Sequence, residues 1–135
     1  MILIALGSNL KSETYGDPIK NCLKAMEFLE TSFELVKVSN FYETEPIPKS
    51  NQAMYVNGVV SVKTNFLPKQ ILSELMNIEK IFKRVRHLKN ESRVIDLDLL
   101  CYNEIIFEDK HLQLPHPRMH LRRFVMQPLC DINKE

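Results

Sequence analysis

The octapeptide Arg93-Val94-Ile95-Asp96-Leu97-Asp98-Leu99-Leu100 constrains this chain more than any other stretch. Aliphatic residues alternate there with two carboxylates at a spacing of two, the period of a strand. Successive strand side chains point to opposite faces, so Ile95, Leu97 and Leu99 share one side and Asp96 and Asp98 the other. The apolar side asks for a core, which places the strand inside a layered domain. The acidic side holds two like charges on a rigid backbone, and they repel each other. A hard cation between them, such as Mg²⁺, or a neighbouring arginine would relieve that repulsion. Taken alone, an Asp-x-Asp on the solvated face of a half-buried sheet is the plainer explanation. The rest of the chain has to decide.

With 135 residues, the chain is expected to form a single domain over 1–135, large enough for a proper core. A formal net charge of +1 argues against a nucleic-acid or anionic-membrane binder driven by bulk charge. No run approaches the ~18 apolar residues of a membrane span, and the apolar start Met1–Leu6 has no basic flank and is too short for a signal segment. Cys22, Cys101 and Cys130 are widely spaced and form no Cys-x-x-Cys. Reduced, mostly buried thiols in a cytoplasm fit that pattern.

Ile2 to Leu6 is expected to be a buried strand ending in a turn at Gly7-Ser8-Asn9, where a glycine lets another group approach the backbone. Asp17-Pro18 opens a helix over about 18–31 as an N-cap acid followed by proline, with Ile19, Leu23, Met26 and Leu29 at helical spacing. Phe33 to Phe41 has strand character, and Tyr42 to Met54 is expected to be a loop, either a binding loop or lid or a surface excursion with no role. Tyr55 to Val62 is a strand with Tyr55, Asn57, Val59 and Ser61 on one face and Val56, Gly58, Val60 and Val62 on the core face. A helix over about 67–83 follows from Ile71, Leu72, Leu75, Ile78 and Phe82. Glu79 near its C-terminus opposes the helix dipole and invites a partner, although an exposed glutamate is commoner.

The composition turns basic from Lys80 to Arg93. Arg84, Arg86 and Arg93 lead into the acidic strand, and arginine suits phosphate because its planar fork donates paired hydrogen bonds, although by itself the run reads more plainly as a solvated basic loop. Beyond the strand, Tyr102-Asn103-Glu104 reads as a turn and Ile105-Ile106-Phe107 as a brief returning strand. His116 lies between Pro115 and Pro117, which hold an extended backbone. Its spacing to His120 is that of a helical metal pair, but Pro117 breaks the helix, so a zinc site is not expected. A last helix is expected from Phe124 to Ile132.

This order predicts an α+β fold, a ferredoxin-like sandwich with a mainly antiparallel sheet plus an extra hairpin. Arginines before and after the acidic pair, with an oriented histidine, suit a polyphosphate held through Mg²⁺. Tyr55, Asn57 and Phe124 suit a flat heteroaromatic acceptor. The chemistry points to Mg²⁺-dependent phosphoryl or nucleotidyl transfer.

At these residues the chain resembles the 6-hydroxymethyl-7,8-dihydropterin pyrophosphokinases of folate biosynthesis. The matching stretches are Ala5–Leu10, Ser39–Pro46, Tyr55–Gly58, Ile78-Glu79 with Arg84, Arg93–Leu100 and Leu114–Val125. The resemblance implies transfer of the β,γ-diphosphoryl group of ATP to the pterin hydroxymethyl oxygen, with release of AMP. It implies that Asp96 and Asp98 bind two Mg²⁺ ions accompanying ATP, and that Arg84 and Arg93 act with them in catalysis. Glu79, Arg84, Arg86, Arg93, Leu99, His116 and Arg122 fall where the family contacts ATP. Thr44, Ile47, Tyr55, Asn57 and Phe124 fall where it holds the pterin. A cytoplasmic monomer acting on two small molecules, with no nucleic acid or membrane partner, is the expected state. The chain departs from the best-known members in a shorter basic loop, in Asn90 near a tryptophan position, and in His111, Gln113 and Pro117. A ferredoxin-like RNA-binding module is the competing expectation, and the few aromatics and near-neutral charge disfavour it.

Overall fold

In a computed structural model of the chain, residues 1–44, 55–82 and 94–116 are described. The remainder of the expected loop after Thr44, the basic run from Lys83 to Arg93 and the expected helix from Phe124 lie outside them. The strand β1 (Ile2–Ser8) is buried at every residue. It is flanked by β4 (Tyr55–Lys63) on one side and β5 (Asp96–Tyr102) on the other, both antiparallel. The expected turn at Gly7 is therefore corrected. Gly7 pairs with Asn57 and with Asp96, and the strand runs on to Ser8. An apolar strand followed by glycine looks the same locally whether it stops or continues between two neighbours.

The helix α1 (Pro18–Ser32) follows β1, and the helix α2 (Pro68–Ile81) joins β4 towards β5. The sheet order is β2–β4–β1–β5, with β2 (Glu34–Val38) and the short β3 (Tyr42–Thr44) both on β4. This is the expected α+β sandwich, with the sheet on one side and both helices on the other. The core between them is built from Ile2, Ile4 and Leu6 of β1, Val56, Val60 and Val62 of β4, and Ile95, Leu97 and Leu99. Cys22, Ala25 and Leu29 close it from α1, and Ile71, Leu75, Ile78 and Phe82 from α2 and its end. Burial pushes the Cys22 thiol up to about 12, which keeps it neutral. Burial also raises the half-buried Cys101, and Cys130 lies outside the described residues.

Three further expectations are corrected. Ile19 and Leu23 are exposed, because α1 turns Asn21 and Cys22 inward instead. Asn21 is fully buried and its Nδ2 donates to Leu10 O at 3.0 Å and to Ser8 Oγ at 3.4 Å, tying α1 to the end of β1. Asp17 precedes the helix, but its side chain makes no capping hydrogen bond. The single strand expected from Phe33 to Phe41 is interrupted. Ser39 N donates to Val59 O at 2.9 Å, while Ser39 Oγ accepts from Val59 N at 2.8 Å. A hydroxyl has replaced a backbone carbonyl, and regular pairing resumes only in β3, inside the segment read as loop. The ring of Phe41 then packs over Gly58, where an added Cβ would stand 2.6 Å from Phe41 Cε1.

Ile105 and Ile106 do not return along β5. The turn at Asn103, which has φ 52°, sends the chain outward and leaves Ile106 86% exposed. The extra hairpin forms instead from β6 (Phe107–Glu108) and β7 (Gln113–Leu114). Asp109 builds it: Oδ1 accepts from His111 N and Leu112 N, while Oδ2 pairs with Lys69 Nζ at 2.9 Å. The Lys69 hydrogen bond is the main cause that pulls the Asp109 carboxyl from 3.8 down to about 2.

Two outcomes follow from these contacts. Gly58→Val should lower stability by about 1–3 kcal/mol in urea unfolding, the usual cost of overpacking, because Phe41 occupies the space. Asp109 has a depressed folded value, so its anchoring is present above the ordinary carboxylate range and is lost as pH falls towards about 2. A carboxyl NMR titration should find that low midpoint, and Lys69→Ala should move it back up.

Candidate active site

One line across the sheet organises the face turned away from the helices. Directly paired residues of antiparallel strands share a face. Tyr42, Asn57, Gly7 and Asp96 are paired in succession across β3, β4, β1 and β5. The next line runs Val59, Ala5, Asp98. Neighbouring strands lie about 4.8 Å apart, so Asn57 and Asp96 are separated by roughly 10 Å of sheet. Of the expected site residues, Asn57, Asp96 and Asp98 therefore stand on one surface.

Gly7 is the hinge of that surface, sterically. A Cβ at residue 7 would stand 3.0 Å from Asn57 Oδ1 and 3.9 Å from Tyr55 Cδ1. The amide and the ring both lean over the strand that glycine leaves bare. Asn57 is buried and Tyr55 half-buried, which suits one group reading a ligand edge and another offering a ring face. Thr44 pairs with Tyr55 through the backbone, so the end of β3 borders the same place.

On β5 the expected alternation holds. Leu97 and Leu99 lie in the core, preceded by Ile95, and Asp96 and Asp98 are half-buried on the other face. Their Cα atoms are roughly 7 Å apart along the strand. Leu99 is 3% exposed, so its side chain belongs to the core. Below it, Leu3, Ala5, Val59 and Leu100 form a small buried apolar cluster on the same face as the acids.

Of the two readings of Glu79, an invited partner or an exposed glutamate, the structure shows the first. It is 7% exposed, and its Oε2 accepts a hydrogen bond from Leu97 N at 2.9 Å. The residue between the two aspartates is thus anchored to α2. The unfavourable position near the end of α2 is offset by this backbone donor. His116 sits beside the same strand: after a cis Leu114–Pro115 bond, its N–H donates to Leu100 O at 2.7 Å. Its backbone is thereby tied to β5 two residues beyond Asp98. Arg84, Arg86, Arg93, Ile47, Arg122 and Phe124 lie outside the described residues.

Among the described residues no group of three or more His, Cys, Asp and Glu side chains comes together to hold a metal. Asp96 and Asp98 are hard oxygen donors on one face, which suits Mg²⁺ with most of its shell supplied by water and phosphate. No described helix is long and apolar enough to cross a membrane.

Comparison with known proteins identifies the family. The family described as 7,8-dihydro-6-hydroxymethylpterin-pyrophosphokinase matches residues 3–134. A 2-amino-4-hydroxy-6-hydroxymethyldihydropteridine pyrophosphokinase of Haemophilus influenzae is 39% identical over 129 residues, 96% of this chain and 79% of the relative. The protein of that name in Aquifex aeolicus is 36% identical over 131 residues, covering 97% and 79%. Its counterpart in Bacillus subtilis is 37% identical over 131 residues, covering 96% and 75%.

The Glu79 contact is open to a direct check. Glu79→Ala leaves the Leu97 N–H without this acceptor, and an unsatisfied buried donor costs about 1–3 kcal/mol. Urea unfolding should show that loss, with faster amide exchange at Leu97.

Proposed function

The chain belongs to the 7,8-dihydro-6-hydroxymethylpterin-pyrophosphokinase family, and on that premise we propose the reaction it carries out and the residues that perform it. It is a pyrophosphokinase of folate biosynthesis. In the proposed reaction the hydroxymethyl oxygen of 6-hydroxymethyl-7,8-dihydropterin attacks the β-phosphorus of ATP. The new bond is oxygen to β-phosphorus, and the bond to the α,β-bridging oxygen breaks. AMP leaves with that oxygen, and the hydroxyl proton is lost to solvent or to a nearby base. On this reading the enzyme works as a cytoplasmic monomer on two small-molecule substrates.

The observation that carries the reading is the line Asn57–Gly7–Asp96, because it sets an aromatic–amide platform beside a carboxylate pair. Tyr55 offers its ring to the flat pterin, with Phe124 proposed on the opposite face. Asn57 hydrogen-bonds the ring edge, helped by the backbone at Thr44 and Ile47. Asp96 and Asp98 hold the nucleotide's divalent cations. Two Mg²⁺ ions bound there would neutralise phosphate oxygens and withdraw electrons from the β-phosphorus. Arg84 and Arg93 are proposed to pair with charge that grows as the bond to the bridging oxygen breaks. Arg86, Arg122 and His116 are proposed to hold the remaining phosphates and the nucleoside, with Glu79 and Leu99 beside them. Since the Leu99 side chain is in the core, its contribution would come from the backbone.

The assay combines the protein with ATP, Mg²⁺ and 6-hydroxymethyl-7,8-dihydropterin and follows AMP. Pterin-dependent AMP is expected; ADP in its place would overturn the reading. Asp98→Ala should keep the fold, since it removes a repelling charge from a half-buried face, while turnover falls by about a hundredfold or more. Wild-type turnover in that variant would remove the metal role.

A further inference from the structure

Tyr42 has no part in the roles given above, and two separate contacts fix where it stands. Phe41 packs its ring over Gly58, and Gly58 alternates with the outward-facing Asn57 and Val59. The next side chain along β3 goes to the opposite face from Phe41. The register agrees, for Tyr42 pairs directly with Asn57, which leans over Gly7 on that face. The Cβ atoms of such a pair lie about 4.5–5.5 Å apart. Tyr42 is half-buried and is the outer member of the line that ends at Asp96.

Asn57 therefore has unlike neighbours on its two flanks. Towards β1 it meets a glycine, and its Oδ1 occupies the space a side chain at residue 7 would need. Towards β3 it meets a phenol, a large side chain that can both donate and accept. A buried amide reads a ligand only if its oxygen and nitrogen ends are held in one orientation. Glycine supplies the room for one orientation, and a group on the other flank is placed to keep the amide in it.

We infer that Tyr42 is a positioning residue for the pterin site, holding the Asn57 amide in its lean over Gly7 so that it presents a fixed edge to the ring. The inference rests on the pterin reading of Asn57 and Tyr55. It separates the two substrates: Tyr42 stands at the end of the line remote from Asp96, so it should govern pterin affinity and leave nucleotide affinity alone.

The test measures binding by the full chain of 6-hydroxymethylpterin, through ligand fluorescence, and of an α,β-methylene ATP analogue with Mg²⁺. Tyr42→Ala should weaken pterin binding about tenfold or more and change analogue binding by no more than about twofold. Because both residues act on one ligand edge, Asn57→Ala should cost much less in the Tyr42→Ala background than in the wild type. Tyr42→Phe, which keeps the ring, should give a smaller pterin-only loss and completes the same cycle if the alanine variant does not fold. Additive losses, equal losses for both ligands, or unchanged pterin binding in both variants would overturn the proposal alone. A wild-type chain that binds the analogue and no pterin would overturn the reading beneath it as well.

Discussion

Everything on the outward face of the sheet depends on the pairing of β1 with two neighbours at Gly7. Had that strand ended one residue earlier, β4 and β5 would diverge where the amide and the first carboxylate now stand in line. Had residue 7 carried a Cβ, Asn57 Oδ1 would be only 3.0 Å away and would have to move. The central strand thus contributes no reactive group. It supplies a register and an empty space, and both come from one residue.

Long periodic elements were legible from the sequence because burial imposes the pattern directly. The α2 stripe and the alternation of β4 and β5 are of this kind, and the sandwich follows from their order. Failures came where a polar residue takes an inward position or a side chain substitutes for backbone. Asn21 is buried against Ser8 and Leu10, which turns α1 so that Ile19 and Leu23 face out. A helical pattern drawn through apolar residues alone misses that phase. Ser39 bonds Val59 through its hydroxyl and so divides one expected strand in two. Nothing local to Ser39 announces it, since the partner lies twenty residues on in the chain.

The site divides the same way. Asp96, Asp98, Tyr55 and Asn57 were legible as faces of two strands, but their union was not. Two lines of pairing bring Asn57, Asp96 and Asp98 together, the Tyr55 ring leans in over Gly7, and pairing is a property of the assembled sheet. Glu79 was read as a residue in want of a partner. What it accepts from, Leu97 N, is a backbone group and invisible to any pattern of side chains. Tyr42 was hidden by the composition of its segment, polar and proline-rich, although Phe41 and Tyr42 already alternate as strand residues do.

Magnitudes explain how a strand can carry two aspartates with a third carboxylate at its edge. Unit charges roughly 7 Å apart repel by about 2 kcal/mol at an effective dielectric near 20, and by less where water reaches them. Ile95, Leu97 and Leu99 are 0%, 4% and 3% exposed. Burying such side chains contributes about 1.5–3 kcal/mol each. The apolar face outweighs the acidic one, and the Glu79 hydrogen bond holds the backbone between the two charges. The two carboxylates are thereby held on a strand whose position is set by its apolar side. The acidic pair is prepared by the core behind it.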